Sequence, residues 1–203
     1  MADSAKPVVA AFDFDGTITT RDTFVPFLSL AFGRRRVALA FASLAVEGLK
    51  VWLRLSTRDR FKELIVAKLF RDASVPRLSE VGREHARRIE SLMRPQALER
   101  IRWHRGQGHH LVMVSASLDL YLDGVAEHLG FQDLLCTAPS RNRSSFDGGL
   151  QGPNCRGPEK VRRLEALLGD LSAVELYAYG DSAGDREMLA AADHPYYRPF
   201  ESA

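Results

Sequence analysis

The chain has 203 residues, of which 45% are hydrophobic and 27% are charged, as in an ordinary globular protein. This length suffices for one α/β domain with a sizeable core and an inserted subdomain. Basic and acidic residues number 28 and 26, so the formal net charge is only +2 and the composition argues against nucleic-acid binding. We therefore expect no nucleic-acid partner, and the composition leaves the oligomeric state open.

The two cysteines, Cys136 and Cys155, are too few for a disulfide framework. We expect reduced thiols in a cytoplasmic protein, and the sequence suggests no role for Cys155. Residues 1–7 are short and polar and do not have the pattern of a secretory leader.

The first predicted element is a buried strand at residues 8–14, an apolar run of β type. From residue 22 to about residue 93 the pattern is helical throughout. Apolar residues recur at helix spacing in one set that starts at Phe24 and in another that starts at Phe61, and Thr57 is placed to cap the second helix. No strand is predicted in this block.

One stretch of the helical block, residues 37–46, is nearly all apolar. It is too short to span a membrane, because charged residues follow it. Polar side chains at helical spacings would form a single stripe on one helix: Arg36, Ser43, Glu47, Lys50 and Arg54. We expect the rest of this helix to be buried inside the protein. The basic run at residues 34–36 favours the alternative, contact with a membrane surface.

Helices and strands are predicted to alternate in the second half of the chain. Helices are expected at residues 95–107, 118–129, 158–168 and 185–192. Strands are expected at residues 110–115, 134–138 and 175–179, with a short last strand at 196–197. Residues 145–151, with Asp147, Gly148 and Gly149 at their centre, have the pattern of a β-hairpin.

This alternation predicts an α/β fold, a Rossmann-like parallel sheet covered by helices on both faces. The all-helical block between the first and second strands is then an insertion. We expect a core domain of residues 1–20 and 95–203 and a helical cap of residues 21–94. The cap should lie over the carboxyl ends of the strands, where open α/β folds bind ligands.

The first strand ends in Asp13-Phe14-Asp15-Gly16-Thr17. In an extended chain, residues two apart point the same way, so two carboxylates would meet at the end of a buried strand. Each unpaired buried charge costs several kcal/mol, and a divalent cation is the simplest compensation. Gly16 permits a tight turn, and Thr17 supplies a hydroxyl. The alternative is an acidic turn that only caps a helix.

Other polar residues follow later strands. Ser115 ends the second strand ahead of a helix, where a hydroxyl suits a phosphate but is also a common cap. Lys160 lies at the start of a helix, a place where lysines are usually solvated. The last main strand leads into a loop that carries Asp181 and Asp185, and carboxylates at strand ends are ligands that magnesium prefers.

These four segments together resemble the four signature motifs of the haloacid dehalogenase superfamily, in the same order and over nearly the whole chain. The helical insertion after the first motif is most similar to the branch that contains phosphoserine phosphatase. Residues 155–160 also resemble small phosphatases that include the phosphatidylglycerophosphate phosphatases of bacterial membranes.

The resemblance implies a role for each motif residue. Asp13 would be the nucleophile that attacks phosphorus, and Asp15 would protonate the leaving oxygen and then activate water. Ser115, with Ala116 beside it, and Lys160 would hold the transferring phosphoryl group.

The resemblance also implies a Mg²⁺ cofactor. Asp13, the backbone carbonyl of Asp15, and Asp181 would ligate it. Asp185 would act through water or orient Lys160.

Three further residues are candidates for substrate contact: Thr17, Asp22 and Arg58. Asp22 stands where enzymes resembling phosphoserine phosphatase carry a glutamate near the substrate's amino group, although a capping role is equally open. Arg58 is a weaker candidate for a carboxylate or a second phosphate. His109 and His110 are expected at the surface, outside the chemistry.

The expected function is a magnesium-dependent phosphomonoester hydrolase for a small phosphorylated metabolite, such as phosphoserine or another amino-alcohol phosphate. The alternative is a phosphatase for a lipid phosphate at the membrane surface. A phosphotransferase with an alcohol acceptor would use the same intermediate. A catalytically inactive binding module is the remote alternative, against which the complete set of motifs argues.

Overall fold

A five-stranded parallel sheet forms the centre of the protein. The computed structural model describes residues 6–201. Residues 1–5, in the segment whose pattern does not match a secretory leader, lie outside the described residues, as do both ends of the predicted core domain. The sheet strands are β1 (Val8–Phe12), β2 (His110–Leu118), β3 (Asp133–Thr137), β6 (Glu175–Gly180) and β7 (His194–Tyr197), in the order β3-β2-β1-β6-β7. Strands β4 (Pro139–Arg141) and β5 (Phe146–Leu150) form a separate antiparallel pair.

Nine α-helices are present among the described residues. Five lie between β1 and β2: α1 (Phe24–Phe32), α2 (Arg34–Ser43), α3 (Ala45–Trp52), α4 (Arg58–Phe70) and α5 (Val75–Ile89). The other four alternate with the strands: α6 (Pro95–Gly106), α7 (Asp119–Leu129), α8 (Pro158–Leu168) and α9 (Arg186–Ala190). Turns of 3₁₀ helix are present at Glu90–Leu92 and Leu171–Ala173. The expected α/β fold with an all-helical insertion is confirmed.

The two faces of the sheet carry separate apolar cores because successive side chains of a strand point to opposite faces. In β1, Ala10 and Phe12 join the larger cluster, which also contains buried residues of the insertion. Val9 and Ala11 join the smaller cluster, where Leu164 of α8 and Met188 of α9 pack. Burial on both faces explains why β1 and residues 111–114 of β2 are continuous apolar runs.

The helical insertion has the local signals that the sequence predicts. The Thr57 side chain accepts a hydrogen bond from the Arg60 backbone amide and caps α4. Phe27, Leu28 and Ala31 of α1 are fully buried. Apart from isolated bridges at Ser74 and Met93, the described residues of the insertion contain no strand.

The apolar stretch at residues 37–46 departs from the expectation. It is broken at Leu44 into two helices, α2 and α3, so the predicted single polar stripe does not form. Burial was the wrong prediction for part of the stretch, since Leu39 and Val46 are each 71% exposed, although Val37 and Ala40 are buried. Six large apolar side chains of this region are exposed and are called here the exposed apolar face: Leu39, Val46, Leu49, Trp52, Leu53 and Leu55.

Three smaller predictions were also wrong. The hairpin turn is at residues 142–145, where Asn142 accepts backbone hydrogen bonds, and Asp147 to Gly149 belong to β5. Ser115 does not precede a helix directly, because β2 continues to Leu118 with an irregular register. β1 ends at Phe12, so Asp13 and Asp15 do not share an extended strand.

No helix among the described residues is long and apolar enough to cross a membrane.

Candidate active site

Asp13 lies at the point where β1 gives way to a tight turn over Phe14–Ile18. Its backbone amide donates to the Tyr179 carbonyl at 2.9 Å, which extends the pairing of β1 with β6 by one residue. Gly16 in this turn has a φ of 82°, and a Cβ there would collide with the Asp181 carboxylate. Glycine is therefore required both for the backbone conformation and for the approach of the two loops.

The Lys160 ammonium joins the first and last motifs. It is 1% exposed, and its Nζ donates to Asp13 Oδ1, Asp185 Oδ1 and the Val114 carbonyl, each at 2.6 Å. Burial alone would lower its pKa, but the two carboxylates outweigh burial and raise it, so the side chain remains an ammonium. A lysine at a helix start is by itself a weak signal, and the structure places Lys160 between two carboxylates of the site.

Asp13, Asp181 and Asp185 form an acidic cluster that could hold a metal ion. Each offers one carboxylate oxygen, and these atoms lie within 4.8 Å of one another. Burial raises the pKa of Asp181, and Asp185 adds to that effect. Burial also raises the pKa of Asp13, although Lys160 opposes it. An all-oxygen set of partly repelling carboxylates fits a hard divalent cation such as Mg²⁺.

Ser182 and Thr17 form hydrogen bonds with the carboxylates of this cluster. Asp185 Oδ2 accepts from the Ser182 amide at 3.0 Å and from its hydroxyl at 2.8 Å. The Thr17 hydroxyl lies 3.1 Å from Asp13 Oδ2 and 3.4 Å from Asp181 Oδ1. Thr17 is 1% exposed and its hydroxyl is within hydrogen-bond distance of both carboxylates, so its contacts here are with the acidic cluster, and substrate contact by Thr17 stays a prediction.

The Asp15 carboxylate lies outside the acidic cluster and has its own partners. Its Oδ1 accepts from the Thr23 amide at 2.8 Å and from the Thr23 hydroxyl at 2.7 Å. Its Oδ2 accepts from the Ser117 hydroxyl. Burial raises the pKa of Asp15 to about 6, with a further contribution from Asp22. A carboxyl that titrates near neutral pH can both give and take a proton.

A cavity of about 630 Å³ opens above these groups. Asp13 and Asp15 line it from the end of β1 and the turn after it, Ser115 lines it from β2, Lys160 lines it from α8, and residues of the helical insertion also line it. Ser115 is 1% exposed, and its hydroxyl accepts a hydrogen bond from the Ser117 amide at 3.0 Å. Ala116 is half-buried beside it and also lines the cavity.

Lys62 of α4 is a cavity residue that the sequence pattern did not single out. Its ammonium donates to the Ala116 carbonyl and, at 3.0 Å, to Asn154 Oδ1. It also lies 4.8 Å from the centre of the Phe24 ring. Burial lowers its pKa to about 8, against the attraction of nearby aspartates. This contact ties the insertion to the last residues of β2, beyond Ser115.

Asp22 and Arg58 both line the cavity. Asp22 Oδ1 also accepts from the Val25 amide at 3.1 Å, so the capping contact of the alternative interpretation is present. The expectation that His109 and His110 lie at the surface holds only in part. Each is half-buried, and His110 lies 2.6 Å from Asp133.

Comparisons with known proteins agree with this architecture. CicA from Caulobacter vibrioides (strain NA1000 / CB15N) is 38% identical over 201 residues, covering 96% of this chain and 87% of CicA. A structure of a protein with unknown function from Bordetella pertussis Tohama I has a TM-score of 0.76 and 21% identity, covering 95% of this chain and 89% of that one. A probable phosphoserine phosphatase from Vibrio cholerae has a TM-score of 0.67 and 23% identity, covering 92% and 54% respectively.

The two structural similarities, at these identities, show the fold alone. The model of the haloacid dehalogenase-like hydrolase family matches residues 10–190, which include every motif residue from Asp13 to Asp185. The resemblance stated from the sequence is thereby confirmed, and the chain belongs to the haloacid dehalogenase-like hydrolase family.

Proposed function

We propose that this chain is a magnesium-dependent phosphomonoester hydrolase that forms an aspartyl phosphate on Asp13. The observation that carries the proposal is the buried Lys160 ammonium between Asp13 and Asp185, at the base of a cavity that Ser115 also lines. A fixed cation and a hydroxyl beside a carboxylate suit a phosphoryl group better than a neutral substrate. The sequence-based division into a core domain and a cap of residues 21–94 is retained as part of this proposal.

In the first step, an Asp13 oxygen attacks phosphorus, a bond to the carboxylate forms, and the bond to the leaving oxygen breaks. Asp15 gives its proton to that oxygen and becomes ionised. Lys160 and the Ser115 hydroxyl offset the charge on the transferring group, and the Ala116 amide adjoins them. The proton from Asp15 stays on the leaving oxygen, so the alcohol leaves as a neutral molecule.

In the second step, Asp15 takes a proton from water, and the resulting hydroxide attacks phosphorus. The bond between phosphorus and the Asp13 oxygen breaks, which restores the carboxylate and releases phosphate. The Thr23 and Ser117 contacts fix the Asp15 carboxylate between the two steps, so that one group serves as acid and then as base.

Asp13, Asp181 and Asp185 are the side chains that would hold Mg²⁺, with the Asp15 carbonyl as the fourth group implied by the resemblance. When bound, the cation lowers the repulsion between the Asp13 carboxylate and an incoming phosphate dianion. Without that counter-charge, burial raises the pKa of Asp13, so a smaller fraction of this side chain is the carboxylate that attacks phosphorus.

A small phosphorylated metabolite such as an amino-alcohol phosphate is the first candidate substrate. Asp22 would face an amino group, and Arg58 would face a carboxylate or second phosphate. A lipid phosphate is the second candidate, since Phe24, Phe41 and Val51 give the cavity an apolar wall. Acceptance of an alcohol instead of water in the second step would make the same site a phosphotransferase.

The test is a screen of purified protein against small phosphomonoesters and lipid phosphates in detergent, with Mg²⁺ or with excess chelator. We expect phosphate release with Mg²⁺ only, and none from Asp13→Asn. Asp170→Asn is the matched control, because Asp170 is exposed and asparagine caps its turn equally well. Turnover under full chelation, or an active Asp13→Asn protein, contradicts the proposal. No turnover of any phosphate ester favours the inactive binding module.

A further inference from the structure

Exposed apolar side chains are concentrated on one part of the helical insertion. Six of the ten large apolar residues exposed in the described part of the chain belong to the exposed apolar face, within residues 39–55. Trp52 is 78% exposed and Leu55 is 75% exposed. Val46, Leu49 and Leu53 are three and four residues apart, so they project from one side of α3 and its end. A clustered set of this kind marks an interaction surface, whereas single exposed apolar residues do not.

The segment that carries this face is also rich in positive charge. Residues 34–60 contain seven arginines and lysines against two acidic residues, a net charge of +5, while the whole chain carries only +2. The seven cationic side chains are all exposed: Arg34, Arg35, Arg36, Lys50, Arg54, Arg58 and Arg60. Of the two acids, Glu47 is engaged by Lys50 and Ser56. The remainder of the molecule is therefore net acidic, so this region is electrostatically distinct.

The charge decides between the possible occupants of the face. A second copy of this chain would bring an identical cluster of cations against the first, and like charges across an interface oppose association. An anionic lipid surface complements the cations and also accepts the apolar side chains. Helices α2 and α3 have ten and eight residues, lengths that suit a position along the bilayer surface.

We propose that the exposed apolar face docks the protein on the surface of an anionic lipid bilayer. Trp52, Leu53 and Leu55 enter the headgroup region, and the flanking arginines pair with lipid phosphates. The same two helices supply Phe41, Gly48 and Val51 to the cavity, so docking places the cavity wall next to the lipid. The inference does not depend on the proposed hydrolase activity.

The test uses the full-length protein and vesicles of phosphatidylcholine, alone or with phosphatidylglycerol. Cosedimentation gives the affinity. A Trp103→Phe background leaves Trp52 as the only tryptophan, because the chain has two. We expect binding to the anionic vesicles only, a blue shift of Trp52 emission on binding, and release at high salt.

Two double variants test separately the exposed apolar face and the cations near it in the chain. Trp52→Ser with Leu55→Ser should weaken binding about tenfold or more, through lost apolar burial. Arg34→Gln with Arg35→Gln should weaken it about 30-fold, since each cation near an anionic surface contributes about fivefold. The control is Leu167→Ser with Tyr197→Ser, which removes two exposed apolar residues elsewhere. All of these residues lie outside the cavity lining, so hydrolysis of a small phosphate ester should remain unchanged.

Three results would overturn the inference. One is equal binding to neutral and anionic vesicles, or none to either. Another is that both double variants bind anionic vesicles as tightly as the unmodified protein does. The third is a dimer of the unmodified chain, measured by light scattering, that Trp52→Ser with Leu55→Ser converts to a monomer, since the face would then be covered by a second copy.

Discussion

Replacement of Lys160 by methionine removes the positive charge that lies between Asp13 and Asp185. Methionine keeps much of the length and volume of the side chain but has no proton to donate. Three contacts of 2.6 Å are lost at once, two to carboxylates and one to the Val114 carbonyl. The acidic cluster is then left buried without its internal cation.

The expected cost follows from this burial. Loss of one partner from a buried ion pair destabilises a protein by about 3–5 kcal/mol, because the other charge stays buried and unpaired. For a chain of this size, each kcal/mol changes the melting temperature by about 2–4 °C, which gives a decrease of roughly 6–20 °C. Added Mg²⁺ should restore part of the loss, since it binds the same carboxylates in the folded state.

The assay is urea unfolding followed by circular dichroism, in chelator and then in Mg²⁺. Lys68→Met is the control, because Lys68 is exposed on α4 and its loss should change stability by no more than about 0.5 kcal/mol. Coincident unfolding midpoints for Lys160→Met and the unmodified chain in chelator would refute the reasoning, since the ammonium would then contribute nothing to the fold.

Three further predictions test other parts of the structure. Burial lowers the pKa of His104 to about 4, whereas the unfolded residue titrates near 6.5, so the free energy of unfolding should fall by up to about 3 kcal/mol as pH drops from 6.5 to 4. His104→Gln should flatten this part of the pH profile measured by urea unfolding, and an unchanged slope would show that His104 does not cause it. Asp22→Asn should keep the cap on α1 and the melting temperature, yet lower kcat/KM for amino-alcohol phosphates about tenfold; equal kinetics leaves Asp22 as a cap alone. Lys62→Met should raise KM about tenfold with a smaller effect on kcat, because its cation lies in the cavity; an unchanged KM removes Lys62 from substrate binding.

The strands and the motif residues could be predicted from the sequence because their signals are local. A buried parallel strand is a continuous apolar run, and the polar residues at its end stand out against it. Asp13, Ser115, Asp181 and Asp185 stand out in this way, whereas Lys160, at the start of a helix, is singled out only through the family resemblance.

The support around these residues could not be predicted, because it depends on contacts between distant parts of the chain. Thr23 and Lys62 belong to the insertion, and no local pattern distinguishes them from ordinary helix residues. Ser117 is two positions after Ser115, the single local hint that a second hydroxyl faces the site.

Periodicity was also insufficient for α2 and α3. It identifies which side of a helix is apolar but does not say whether another element covers that side, so burial was expected for residues that are exposed. Neither proline nor glycine is next to Leu44, so the sequence has no local signal that predicts the break there.

The most direct test of the proposed mechanism is to trap the intermediate. The best substrate from the phosphate screen, carrying a radiolabelled phosphoryl group, is mixed with the enzyme and Mg²⁺ and quenched in acid within one turnover. We predict a label on the protein that hydroxylamine releases, as an acyl phosphate requires, and that peptide mapping assigns to Asp13. Label on Ser115 or on a histidine, or turnover without any labelled protein together with an active Asp13→Asn variant, would contradict the mechanism.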